Sequence, residues 1–195
     1  GTSSWTSQHE FGRTQLDTGA LVCADTLRLH IRAESDSIAS QSAKLHVRDA
    51  VLAYLDTACP AQSKPEAIAW AAQHLFELQL TARHALAELN IRTPVRVQLV
   101  NMYFATRRYG SGTLPAGRYD ALRIDLGAGK GRNWWCVLYP QMCYVDAAWG
   151  YSTEESHVRL QNTLTKEEFL VVSAMEQKKV TPKIKCRLVE LWSER

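Results

Sequence analysis

Cysteine, histidine, paired carboxylates and glycine-rich loops are the features through which a chain of this size could do chemistry, and each occurs here. Cys136 stands in the apolar run Trp134-Trp135-Cys136-Val137-Leu138-Tyr139, just after Gly127-Ala128-Gly129-Lys130-Gly131. A nucleophilic cysteine needs a thiolate at neutral pH, made by a neighbouring base, and His30 or His46 would have to supply it. No feature of the sequence brings either histidine close, and a cysteine in an apolar run is most often a small buried hydrophobe. The glycine-rich run fails the phosphate-loop pattern, because Lys130 is followed by Gly131 rather than Ser or Thr and no glycine precedes it at the required spacing. It reads instead as a solvated, hairpin-like turn. Asp120 and Asp125 are five apart, so a strand places them on opposite faces and they cannot share a proton. The six histidines are scattered, and His74 and His84 lack the one-turn spacing of a metal-ligand pair. These residues therefore predict no catalytic group, no metal site and no cofactor.

What does stand out is a basic and aromatic surface. Arg and the large aromatics dominate protein interfaces because they combine contact area with directional donors. The candidate partner-binding residues are Tyr109, Arg118, Tyr119, Lys130, Arg132, Asn133, Trp134, Trp135 and Tyr139, all within the stretch from Tyr109 to Asp146. The competing reading is that the tryptophans close the core under a sheet, and one Trp pointing each way would satisfy both.

The elements that must carry these residues follow from periodicity. Leu27, Leu29 and Ile31 alternate with Arg28, His30 and Arg32, which predicts a strand with one apolar and one basic face. Glu34-Ser35-Asp36-Ser37 supplies caps for a helix over about Ile38 to Ala58, with Val47, Val51, Tyr54 and Leu55 on one face. Ser63 and Glu66 form a capping box for a second helix, whose seam Ile68, Ala71, Leu75, Leu78, Ala82, Ala85 and Leu89 runs unbroken to Asn90 and is read as facing the sheet. Val95, Val97 and Leu99 alternate in a second strand. Gly110, Gly112, Pro115 and Gly117 mark a tight reversal, and Arg118 to Leu126 alternate as a third. Thr165 and Glu168 cap a short helix, and Ile184, Cys186 and Leu188 end the chain as an edge strand guarded by lysines. The fold class is α+β: an antiparallel or mixed sheet of about four to five strands packed against two long helices, in a single domain over 21–195. Residues 1–20, polar and without an apolar period, read as a flexible leader or stalk.

Composition sets the class. The chain has 195 residues, of which 46% are hydrophobic and 22% charged, and carries a formal charge of +3, values ordinary for a globular domain and too mildly basic to imply nucleic acid. No apolar run approaches the ~20 residues needed to cross a bilayer. The first residue is Gly1 rather than Met, so a native signal or anchor segment is expected to lie outside these residues. Five cysteines without CxxC spacing fix neither a zinc site nor a disulfide framework. Cys136 and Cys143 flank Tyr139-Pro140, a bend that can join them in a disulfide, and two buried thiols serve equally well.

With these residues placed, the chain resembles the stage II sporulation protein R family of endospore-forming bacteria, over about Leu27 to Asp146. Three blocks carry the resemblance: Leu27 to Ser37 (LRLHIRAESDS), Lys44 to Leu52 (KLHVRDAVL), and Tyr109 onward through Leu114-Pro115-Ala116-Gly117-x-Tyr119 and Gly129-Lys130-Gly131-x-Asn133-Trp134-Trp135-Cys136-Val137-Leu138-Tyr139-Pro140 to Cys143 and Asp146. The family commonly has Asn where this chain has Glu34. The resemblance implies a signal rather than an enzyme, made in the forespore and secreted into the space between the forespore and mother-cell membranes. Its partner there would be the membrane-embedded aspartic protease that processes the precursor of sigma factor E. Two other readings compete: a hydrolase acting on cell-wall material through Cys136 or a carboxylate, and a peripheral wall or membrane binder suggested by the mild positive charge and the tryptophans.

Overall fold

Period-two segments become strands and capped, apolar-faced segments become helices in the computed structural model, which describes residues 18–109, 112–140 and 165–166. In chain order the elements are α1 (residues 18–25), β1 (Leu27–Arg32), α2 (Ile38–Ala58), α3 (Lys64–Gln73), α4 (Leu75–Glu88), β2 (Val95–Phe104), β3 (Arg107–Tyr109), β4 (Gly112–Leu114), β5 (Gly117–Leu126) and β6 (Asn133–Tyr139). Among the described residues four strands form an open sheet in the order β2-β5-β1-β6, and β3 and β4 make a separate two-stranded ribbon. β1 lies parallel to β5 and antiparallel to β6, and β2 is antiparallel to β5. The fold is thus α+β with a mixed sheet, in one domain.

Local chemistry explains the helix boundaries. Ser37 caps α2, its Oγ accepting from Ser40 N at 3.1 Å, and Val47, Val51 and Leu55 are buried along one face. Ser63 Oγ accepts from Glu66 N at 3.3 Å at the start of α3, while Glu66 Oε2 accepts from Gln62 N at 2.8 Å, one residue before the position a strict capping box uses. The single second helix expected from the seam is broken in two at His74. There the backbone turns to φ −114°, ψ 20°, and the imidazole Nδ1 lies 2.7 Å from Trp70 O with its ring stacked 4.2 Å from the Trp70 ring. The seam still faces inward, with Ala71, Leu78, Ala82 and Ala85 buried.

The main core lies between α2–α4 and one face of the sheet. Leu27, Leu29 and Ile31 of β1, Leu122, Ile124 and Leu126 of β5, Val95 and Val97 of β2, and Cys136 and Leu138 of β6 meet the helices there. Each large aliphatic fully buried in this way contributes about 1.5–3 kcal/mol relative to exposure. A second, smaller core of Cys23, Phe104, Tyr119 and Ala121 sits on the opposite face. Cys23 brings α1 onto it, so a helix begins inside the stretch read as a leader, with Thr18 and Val22 buried. Expectations that fall on residues 1–17, 141–164 and 167–195, including the last strand and Cys143, lie outside the described residues.

Two further expectations are corrected. β1 does not turn its basic face to solvent: it is an inner strand of the described sheet, and Arg28 and His30 are as buried as Leu27 and Leu29 beside them. The glycine-rich run Gly127 to Gly131 is not a hairpin turn. It connects β5 to β6, which are separated by β1, so the chain steps across the end of β1 rather than folding back beside it.

Candidate functional site

Part of each of the three blocks converges on the end of the sheet where β1 finishes. The loop Glu34 to Ser37, leading from β1 into α2, meets the β5–β6 crossover backbone to backbone. Gly131 N donates to Ala33 O at 2.9 Å and Lys130 N to Glu34 O at 3.3 Å. Side chains lock the contact: Asp36 Oδ1 accepts from Arg132 N at 2.6 Å, Lys44 Nζ donates to Arg132 O at 3.0 Å, and Gln41 Nε2 donates to Ser35 O at 2.9 Å. The glycines are dictated by this approach. A Cβ on Gly131 would lie 2.1 Å from Ser35 O, and Gly129 holds φ +59°, a left-handed conformation that L side chains resist. Lys44 is buried in the clamp, and burial first, then Arg132 and Arg48, pulls its ammonium below the usual lysine range.

This clamp leaves a fixed backbone with exposed side chains on it. Lys130, Arg132 and Asn133 are exposed. The Arg132–Asp36 ion pair, 3.6 Å between largely exposed groups, holds little energy. Arg132 therefore remains available to an outside carboxylate.

Beneath the clamp, the face of the sheet turned away from α2–α4 is charged and aromatic yet closed. Asp125, 4% exposed, sits between Arg32 and Arg123, with Arg32 Nε 2.5 Å and Arg123 Nε 3.2 Å from its two oxygens. The bond to Asp125 raises the Arg32 pKa. Arg28, fully buried, lays its guanidinium 4.5 Å from the Phe104 ring centroid and 5.0 Å from that of Tyr119, and its Nε donates to Cys136 O at 3.4 Å. His30 stacks on Trp135 with centroids 3.7 Å apart and planes 10° from parallel. It is 1% exposed, and neither ring nitrogen has a partner at hydrogen-bond geometry. Burial pushes its pKa down to about 4, although Asn133 pulls the other way. The imidazole is neutral.

The nine candidate positions do not form one face. Trp134 turns toward the helices, with the Arg48 guanidinium 5.5 Å from its ring, and Trp135 turns to the opposite side, where Arg107 lies 5.2 Å from its ring. Each tryptophan is half-buried. Tyr119 cannot touch a partner: it is fully buried and its hydroxyl donates to Pro115 O at 2.7 Å. Tyr139, half-buried, donates to Gln62 O and ties β6 to the loop before α3. Arg118 is exposed but bonds to Asn101, and eight strand residues place it about 26 Å from Leu126 and the clamp. The side chain of Tyr109 lies outside the described residues. Lys130, Arg132 and Asn133 remain as the contiguous exposed group, and Glu34, Asp36, Gln41 and Lys44 are the supporting residues that spacing alone did not link to them.

The catalytic pair weighed for Cys136 does not assemble. In register, His30 faces Trp135 and Leu29 faces Cys136, so the imidazole and the sulfur are on opposite faces of the sheet. His46 is engaged elsewhere, with Nε2 2.7 Å from Glu88 Oε2. Cys136 is disulfide-bonded, while Cys23 and Cys59 are free; the suggested Cys136–Cys143 pairing involves Cys143, outside the described residues. Asp120 and Asp125 lie on opposite faces as expected, Asp120 beside Lys64 Nζ at 2.8 Å. Bonds from Asn101, then from Lys64, hold its pKa below the usual carboxylate range.

Comparison with known proteins bears directly on this arrangement. The family described as stage II sporulation protein R matches residues 23–149. The stage II sporulation protein R of Bacillus subtilis (strain 168) is 32% identical over 179 residues, covering 86% of this chain and 80% of that protein. No solved structure matches. The family match spans the loop before α2, the first turns of α2 and the crossover, all three parts of the clamp.

Proposed function

This chain belongs to the stage II sporulation protein R family, and we propose that within sporulation it is a secreted signal that activates the mother cell's membrane-embedded aspartic protease, which processes the precursor of sigma factor E. It acts in the space between forespore and mother-cell membranes. The observation that carries the reading is the clamp, where the blocks of family resemblance meet and hold Lys130, Arg132 and Asn133 exposed on a fixed backbone. Preformed shape lowers the ordering cost of binding, which suits a molecule that works by being recognised. A ligand shifts an equilibrium only by binding one state better than another, so the clamp surface favours the receptor's active state over its inactive one. The disulfide at Cys136 is in keeping with an exported protein.

The alternative of a wall hydrolase acting through Cys136 fits the structure poorly, because the disulfide consumes the thiol. Co-expression in a non-sporulating host of the exported chain, the protease and the sigma precursor tests the proposal. Precursor cleavage should depend on the chain and be lost on the double substitution Lys130→Glu, Arg132→Glu at unchanged protein level. Cleavage that persists with the double variant would move the contact away from the clamp, and cleavage indifferent to the chain would remove the function.

A further inference from the structure

Strand β2 ends the described sheet on the side away from β1, and among the described residues no strand pairs with its outer edge. It runs ten residues in unbroken register with β5, without a bulge or a proline. Apart from Arg118 donating to the Asn101 carbonyl, no backbone group of β2 has a bond beyond the β5 ladder among the described residues. Long regular edges are ordinarily blunted by shortness, bulges, prolines or several charges, because unpaired amides and carbonyls template another strand. Among the described residues this one is left open, flanked by half-buried Leu99, Val100 and Met102 and exposed Tyr103.

The start of the same strand is basic. A groove of about 540 Å³ lies between α4 and the beginning of β2, floored by Ala87, Ile91, Pro94 and Val95 and bordered by Arg83 and Arg92. Arg96, whose neighbours Val95 and Val97 are buried toward the helices, stands exposed on the other side of the edge. None of the three guanidiniums has an ion pair among the described residues: Asp125, which faces Arg96 across the β2–β5 ladder, is engaged by Arg32 and Arg123, and Glu34 accepts from Thr93 at 3.1 Å.

We propose that the β2 edge takes up an extended, acidic segment of a partner protein as an added strand, with its carboxylates between Arg83, Arg92 and Arg96. Main-chain hydrogen bonds would supply the attachment and the arginines the selection, the division of labour general to strand addition. Charge decides against a second copy as the occupant, since β2 itself is VRVQLVNMYF and brings no carboxylate to the three arginines. The inference takes from the proposed function only that the chain acts by docking.

The test uses the purified full chain and a displayed library of random decapeptides, so it can fail while precursor processing stands, or succeed while processing does not. Selected peptides should be rich in Asp or Glu, should slow hydrogen exchange at β2 amides, and should bind the Arg92→Glu, Arg96→Glu double variant about tenfold more weakly. The Arg92→Gln, Arg96→Gln variant, which removes attraction without adding repulsion, should fall between. Enrichment without acidic residues, protection confined to other elements, or equal affinity for the charge-reversed variant each overturns the proposal. So does concentration-dependent self-association that protects β2 in the absence of peptide.

Discussion

His30 gives this fold a built-in acid sensitivity whose size follows from its surroundings. The imidazole is 1% exposed, stacked on Trp135, and lacks hydrogen-bond partners, and burial lowers its pKa from 6.5 to about 4. Arg32 and Arg123 push the same way, while Asn133 and Asp125 oppose them. Well above pH 6.5 the ring is neutral folded and unfolded, and contributes no pH dependence. As the pH falls below 6.5 the unfolded chain takes up a proton that the folded chain refuses, so stability is lost until the folded pKa is reached. The loss amounts to about 2 kcal/mol between pH 7 and pH 5, and to about 3 kcal/mol by pH 4. Replacing the ring with a non-titrating group of similar size, His30→Gln, removes this slope whatever its constant cost. Urea unfolding followed by tryptophan fluorescence at pH 7 and pH 5 measures it: the wild type should lose about 2 kcal/mol more than the variant across that interval. His30→Leu serves if the glutamine variant is too unstable to measure. Equal losses in wild type and variant would mean that the imidazole is protonated in the folded protein, and the closed sheet face described here would be wrong.

Four other outcomes follow from the same geometry. Gly131→Ala forces a Cβ against the Ser35 carbonyl, where both sides are backbone, and should cost about 2–4 kcal/mol, seen as a lowered melting temperature by calorimetry. Asp125→Asn leaves Arg32 and Arg123 side by side without their buried counter-charge and should cost about 3 kcal/mol in denaturant titration, whereas the exposed Asp36→Asn should cost less than that. Trp135→Ala removes the ring packed on His30 and Phe104 and should cost about 3 kcal/mol, so its loss of activity would report folding rather than docking. Arg132→Ala, exposed, should leave stability within about 0.5 kcal/mol and is the cleaner probe.

Local signals in the sequence carried far, and non-local ones did not. The alternation of Leu27, Leu29 and Ile31 and the serine caps at Ser37 and Ser63 located β1, α2 and the start of α3 because each depends on neighbours a few residues away. The break at His74 was hidden, since the apolar seam continues through it and only the imidazole's bond to Trp70 O marks it. Burial of Arg28 and His30 was illegible for a different reason. Polar types at alternate positions read as a solvated face, and only the tertiary arrangement reveals that β1 is an inner strand whose far side is closed by aromatic rings. The clamp shows the same limit. Its residues were visible as motif blocks, but that Asp36 meets Arg132 across 96 positions depends on the parallel pairing of β1 with β5, which no spacing encodes. Of the nine candidate contacts, Lys130, Arg132 and Asn133 stand together in the open. Tyr119 showed the residue type of an interface and turned out to be core.

The most direct trial of the account is to place the purified protease in lipid vesicles with the sigma precursor and add the purified chain from outside. Cleavage should rise with the concentration of the chain and saturate, and the Lys130→Glu, Arg132→Glu form should fail to produce that rise while folding normally. A chain that leaves the cleavage rate unchanged at every concentration, or a charge-reversed form that works as well as the original, would contradict the claim that this molecule acts by presenting its clamped surface to a receptor.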